Sequence, residues 1–220
     1  MSNEAEELLQ KALEETEDGN FEEGLAALDK AFELEPDYFN QFVPINTRGS
    51  ALLGLERYEE ALAMYEQALE QPEDSFDTYT GLRNKGLTLS ALEKYEAAIE
   101  CHNQALEWYE TSVKEGKALR DRDDLAPLWE DKGWALINFD EYDEAMICFD
   151  KAIECIPDDG WLLYNKVCCY ALQNKIDQAL KSLEQAINLE PEVKDWVKED
   201  PDCENLSFDP RFQALVSIAI

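Results

Sequence analysis

The apolar residues of this chain fall at spacings of three, four and seven, the mark of helices with one buried stripe. Five short segments repeat one motif: a large apolar residue, two mostly acidic positions and a small residue. They are Phe21-Glu-Glu-Gly24, Tyr58-Glu-Glu-Ala61, Tyr95-Glu-Ala-Ala98, Tyr142-Asp-Glu-Ala145 and Ile176-Asp-Gln-Ala179. Four positions after each small residue comes a bulky one (Leu28, Tyr65, His102, Phe149, Leu183). Seven after it comes alanine every time (Ala31, Ala68, Ala105, Ala152, Ala186). Twelve before it, the middle three segments carry glycine (Gly49, Gly86, Gly133), while the first and last carry Ala12 and Val167. Small residues on such a stripe let a neighbouring helix come close, and the bulky ones fill the space between.

The five small residues stand 37, 37, 47 and 34 apart. That period predicts stacked helix pairs, each too small to bury a core alone, so that stacking makes the core. Only 9 glycines in 220 residues argue against a strand-rich, turn-rich chain, and glutamate, alanine and leucine at helical period argue for helices.

With these columns in place, the chain resembles the tetratricopeptide repeat, a helix-turn-helix unit with a small residue in each helix and a closing proline. Pro36, Pro157 and Pro191 fall twelve after their small residues, Pro72 falls one early, and the third segment has none. Trp129 through Pro157 is the fullest match, with Trp129, Gly133, Leu136, Tyr142, Ala145, Phe149, Ala152 and Pro157 all in place. The resemblance implies an all-α, right-handed superhelical solenoid of stacked antiparallel helix pairs. It divides the chain into five repeats, about 5–37, 42–75, 79–112, 126–159 and 160–193, with an extended helix and insert carrying the third to 125. Residues 192–220 then form a capping segment. Its Asp209-Pro-Arg-Phe-Gln run resembles the closing turn and short helix common at the end of bacterial repeat proteins, with Asp209 capping that helix and Pro210 in its first turn.

The step from Ala98 to Ala145 is the long one, and its extra length lies between Glu107 and Ala126. It reads as a prolonged second helix followed by a loop. Lys114, Lys117, Arg120 and Arg122 make it locally basic, so it is either an exposed connector or a docking loop.

Charge narrows the partners. With 19 Lys+Arg against 50 Asp+Glu, the formal net charge is −31. Such a field repels nucleic acid and anionic membranes and favours basic segments. Residues 1–18 lack the basic start and apolar core of a secretory leader, and Leu215 to Ile220 is too short an apolar run to span a membrane. A cytoplasmic protein is expected. Against the acidic background, Arg48, Lys85, Lys132 and Lys166 recur thirteen before the small residue. Such a column could meet an acidic ligand, or its stems could pack while its heads offset nearby acids.

Catalytic patterns are not evident. The six cysteines show no Cys-x-x-Cys spacing and read as packing thiols in a reducing compartment. His102 sits in a column otherwise filled by Leu, Tyr and Phe, as a core filler. No metal-ligand spacing, phosphate loop or nucleophile elbow stands out. Neither an enzyme nor a cofactor is expected.

By the resemblance, the first helix of each pair lines a concave groove for peptides. The second repeat would contribute Asn46, Ser50 and Leu53, and the third Arg83, Asn84, Leu87 and Ser90. The fourth would add Glu130, Trp134, Ile137 and Asn138, and the fifth Trp161, Tyr164, Asn165 and Cys168. Amides can bond a ligand backbone as donor and acceptor, and Trp134, Trp161 and Tyr164 offer rigid contact area. The clamp with which some family members hold a chaperone's C-terminal carboxylate is absent, because of its places only Asn84 fits while Asn46, Ser50, Pro127 and Asp131 do not. The expected function is a non-catalytic adaptor for a peptide or protein segment of basic and apolar character. The alternatives are a helper in assembling a larger complex, such as a photosynthetic membrane complex, and an enzyme's regulatory module.

Overall fold

The computed structural model describes residues 2–37, 41–70, 75–115 and 125–217. All regular structure among them is helical. The chain divides into two compact units, Met1–Leu119 and Arg120–Ile220. The first holds α1 (Asn3–Glu17), α2 (Phe21–Leu34), α3 (Phe42–Gly54), α4 (Tyr58–Ala68), α5 (Ser75–Ala91) and α6 (Tyr95–Lys114). The second holds α7 (Ala126–Asn138), α8 (Tyr142–Cys155), α9 (Gly160–Leu172), α10 (Ile176–Leu189), α11 (Val193–Glu199), a 3-10 helix (Pro201–Phe208) and α12 (Pro210–Ser217). Helices pack in consecutive pairs, α1 with α2, α3 with α4 and α5 with α6 in the first unit, α7 with α8 and α9 with α10 in the second. Within the first unit α3 also lies against α1 and α5.

The repeated small residues explain the close pairing. Ala61, Ala98, Ala145 and Ala179 are wholly buried, as are Ala31, Ala105, Ala152 and Ala186. The bulky column is matched to the position facing it. A methyl group at Gly49 would stand 2.7 Å from the Tyr65 ring, at Gly86 2.4 Å from His102, and at Gly133 2.5 Å from Phe149. Where the bulky residue is leucine, the facing position keeps a side chain, with Leu28 clustered with Ala12 and Leu183 with Val167. A flat ring pressed on the partner helix leaves no room for a Cβ; a narrower leucine does.

Every pair turns in the same way. Gly19, Glu56, Glu93, Asp140 and Asn174 have φ of 81°, 58°, 58°, 63° and 55°. The next residue's N–H reaches the carbonyl five back: Asn20 to Glu15, Arg57 to Leu52, Lys94 to Leu89, Glu141 to Leu136 and Lys175 to Tyr170, at 2.7–2.9 Å. This is the Schellman closure, which satisfies orphan carbonyls at a helix end through one left-handed residue.

At twenty residues, α6 is longer than the fourteen of α2, α8 and α10. Lys114 lies on it and pairs with Glu110 at 3.7 Å; Lys117, Arg120 and Arg122 lie outside the described residues, as do Pro72 and the last three residues of the apolar tail. No helix among the described residues is long and apolar enough to cross a membrane.

After α10 the chain folds back over its own unit. Val193, Val197, Leu206, Phe212 and Val216 join the core of α9 and α10. Asp200 caps the 3-10 helix by accepting from the Asp202 N–H at 2.9 Å. Cys203 and Leu206, three apart on the eclipsed face of that helix, both point inward. Asp209 accepts from the Arg211 N–H at 2.8 Å, and Arg211 bridges to Asp177 on α10 at 2.8 Å.

Candidate functional site

In the first unit the candidate residues lie on α3 and α5. Ile45, Gly49 and Leu52 take the buried stripe of α3, which leaves Asn46, Ser50 and Leu53 half-buried beside it. Arg83, Asn84, Leu87 and Ser90 are half-buried on α5. The Asn84 amide donates to Asn46 Oδ1 at 3.2 Å and ties the two helices together. The Tyr65 hydroxyl, buried on α4, donates to Ser50 Oγ at 3.2 Å, and Ser50 donates to the Asn46 carbonyl at 3.2 Å. Burial pushes the Tyr65 pKa up to about 12. The result is a strip of mixed polar and apolar side chains across two neighbouring helices.

In the second unit the corresponding residues come from α7 and α9. Asn165 donates to Glu130 Oε1 at 2.7 Å. Asn165 and Asn84 stand fourteen before their small residues, and Glu130 and Asn46 stand fifteen before theirs. The two hydrogen bonds therefore occupy equivalent places. The sequence reserves these amides for a ligand backbone, but the fold engages them between first helices. Ile137, Tyr164 and Asn165 are interior, at 6%, 8% and 6% exposure, and Cys168 is wholly buried. Tyr164 is drawn in because the closing segment brings Asp200 onto α9, where the carboxylate accepts from its hydroxyl.

Trp134 stands edge-on to Phe149 at 6.0 Å, and Trp161 stands edge-on to Tyr164 at 6.1 Å. Both indoles remain half-buried. Asn138 is exposed and donates to the Trp134 carbonyl at 2.9 Å. Sequence reasoning passed over Trp196, whose indole on α11 meets Trp161 at a right angle, 5.8 Å away, and is 65% exposed. Its signal was a lone tryptophan within the charged closing segment.

The cation column is an inter-pair latch. Arg48 pairs with Asp29, Lys85 with Glu66 at 3.0 Å and Lys166 with Asp150 at 2.5 Å. Each acid lies five after the small residue of the preceding pair. In the third segment that place holds Asn103, and Lys132 lies 5.6 Å over the Trp129 ring of its own helix. Partly exposed pairs of this kind are worth about 0.2–1 kcal/mol each. They align neighbouring pairs and are already engaged by protein carboxylates.

A pocket of about 370 Å³ opens between α2, α3 and α4, lined among others by Phe32, Pro44, Ile45 and Met64. Arg48 of the cation column and its partner Asp29 line it, but none of the groove residues that the sequence nominates does. His102 is fully buried. Burial pushes the thiols of Cys101, Cys169 and Cys148 up, the last to about 11, which suppresses the thiolate that nucleophilic chemistry requires.

Tetratricopeptide-repeat family models match residues 46–112, 126–159 and 148–181. No curated protein matches the chain. Among solved structures, YrrB, described as a tetratricopeptide-repeat protein with an unusual peptide-binding site, is 26% identical. That likeness covers 84% of this chain and 85% of YrrB, with a TM-score of 0.57. MamA from Desulfovibrio magneticus is 18% identical over 87% of this chain and 97% of that one, with a TM-score of 0.65. A tetratricopeptide-repeat protein from Parabacteroides merdae is 18% identical over 98% and 77%, with a TM-score of 0.67. The last two likenesses speak to the fold.

Proposed function

The chain belongs to the tetratricopeptide-repeat family, and from that premise we propose that it is a non-catalytic scaffold whose first helices hold a peptide or protein segment. The observation that carries this reading is the strip on α3 and α5. Leu53 and Leu87 offer apolar contact there, Arg83 brings a cationic head, and all three are half-buried. In the second unit, Trp161 supplies a half-buried aromatic surface. The likeness to YrrB supports a peptide as the ligand class. The net charge of −31 favours a segment that carries lysine or arginine among apolar residues.

The test is an array of short peptides graded in charge and apolar content, probed with the purified chain. The best binder is then titrated by fluorescence anisotropy. Leu53→Ser and Leu87→Ser should each weaken it by at least about tenfold, the loss of one contact worth about 1.4 kcal/mol. Circular dichroism should stay at the wild-type signal. Added salt should weaken binding further. If no peptide binds, or if both variants bind as wild type does, the assignment of the ligand to the first helices is wrong.

A further inference from the structure

The closing segment does more than cover α9. It carries Asp200 and, one turn later, Cys203, to the buried Cys168 of α9. Cys168 Sγ lies 3.9 Å from Cys203 Sγ and 3.5 Å from Asp200 Oδ2. These three donor atoms all fall within 4.8 Å of one another. With bonds of about 2.3 Å to sulfur and 2.1 Å to oxygen, a tetrahedral zinc ion has ligand edges of roughly 3.8 Å between sulfurs and 3.6 Å from sulfur to oxygen. The two measured edges are close to those lengths.

We propose that Cys168, Cys203 and Asp200 form a binding site for a divalent transition metal, zinc in the first instance. Two thiolates and one carboxylate make a donor set that suits zinc and excludes magnesium and calcium, which take oxygen ligands only. The donors are held in place before any ion arrives. Asp200 Oδ1 is fixed by the Asp202 N–H at 2.9 Å, which leaves Oδ2 turned towards the sulfurs. The Tyr164 hydroxyl donates to the same Oδ2, the outer contact that orients a ligating carboxylate. Water completes the fourth position.

On binding, each Sγ–H bond breaks as a sulfur–zinc bond forms, and two protons pass to solvent. Asp200 also lines an open pocket of about 480 Å³ together with Asp195, Trp196, Glu199 and Pro201. The acids at its mouth attract cations and give the ion a way in. The ion would pin the closing segment to α9 through a bond that no apolar contact supplies.

The full chain, kept reduced and stripped with a chelator, is dialysed against zinc and, separately, against cobalt(II). Metal is counted by mass spectrometry, and cobalt is followed by its visible thiolate bands. We expect one ion per chain, with Cys168→Ser and Cys203→Ser each lowering affinity more than about a hundredfold and Tyr164→Phe lowering it about tenfold. Cys155→Ser should bind as wild type does. Zinc should raise the melting temperature of wild type but not of Cys203→Ser. Where a cysteine variant loses its helical signal, Asp200→Asn decides, because the amide keeps the shape and the capping oxygen. Equal uptake by wild type and the Cys168→Ser/Cys203→Ser double variant assigns the metal to surface carboxylates and overturns the proposal, as does a cobalt complex without thiolate bands.

Discussion

Gly86 and His102 show how tightly one residue constrains another in this fold. Alanine at position 86 gains about 1 kcal/mol of helix propensity over glycine, yet its methyl would stand 2.4 Å from the imidazole. Overpacking of that kind costs about 1–3 kcal/mol, so Gly86→Ala should lower the midpoint of urea unfolding. Adding His102→Leu should recover much of the loss, because Ala12 with Leu28 already uses that combination. A double-mutant cycle checks this through a favourable coupling of about 1 kcal/mol; additive single effects would refute it. Both columns were legible in the sequence, since each repeats at fixed spacing. Their pairing was not, because it depends on which faces meet. The same limit hid the fate of Tyr164 and Asn165. Each sits at a register that the resemblance assigns to the groove, but the partners that draw it inward, Asp200 and Glu130, stand 36 and 35 residues away.

At the scale of the element, the shared feature is the left-handed residue that ends each first helix. Glycine fills it once, and aspartate and asparagine fill it once each, but glutamate fills it twice, at Glu56 and Glu93. A residue with an ordinary Cβ pays about 1–2 kcal/mol for that conformation, while glycine there gives up roughly 0.5–1 kcal/mol in unfolded-chain entropy. Glu56→Gly and Glu93→Gly should therefore each stabilise the chain by about 0.5–1 kcal/mol. Gly19→Ala should destabilise it, and thermal melts of the three variants decide. A lower melting temperature for either glutamate variant would mean that side-chain contacts outweigh the backbone strain. The helices were readable from their apolar period, whereas this turn was not, because its residue types share no pattern. The cation column was likewise visible without its partners, since each acid lies on the helix before.

At the scale of the whole molecule, a net charge of −31 must coexist with repeated close packing. The acids serve partly as anchors, for Asp29, Glu66 and Asp150 hold the cation column and Asp177 holds Arg211. Asp200 caps a helix and also closes the cysteine cluster. The sequence marks the closing segment by its resemblance alone and does not reveal its chemistry, since Cys168 lies 32 residues from Asp200 and 35 from Cys203. Without the lid, α9 and α10 lose one wall of their core. Val193, Val197, Leu206, Phe212 and Val216 are buried there against Val167, Leu180 and Leu183. Burial of such side chains is worth about 1.5–3 kcal/mol each before the entropy of ordering the segment is subtracted. In a stacked repeat that loss falls first on the neighbouring pair. A chain ending at Pro191 should thus show fast amide exchange throughout α9 and α10, with Leu183 and Ala186 among the amides that lose protection. Protection equal to that of the full chain would mean that the pair stands without its lid, and that the segment serves the metal cluster alone.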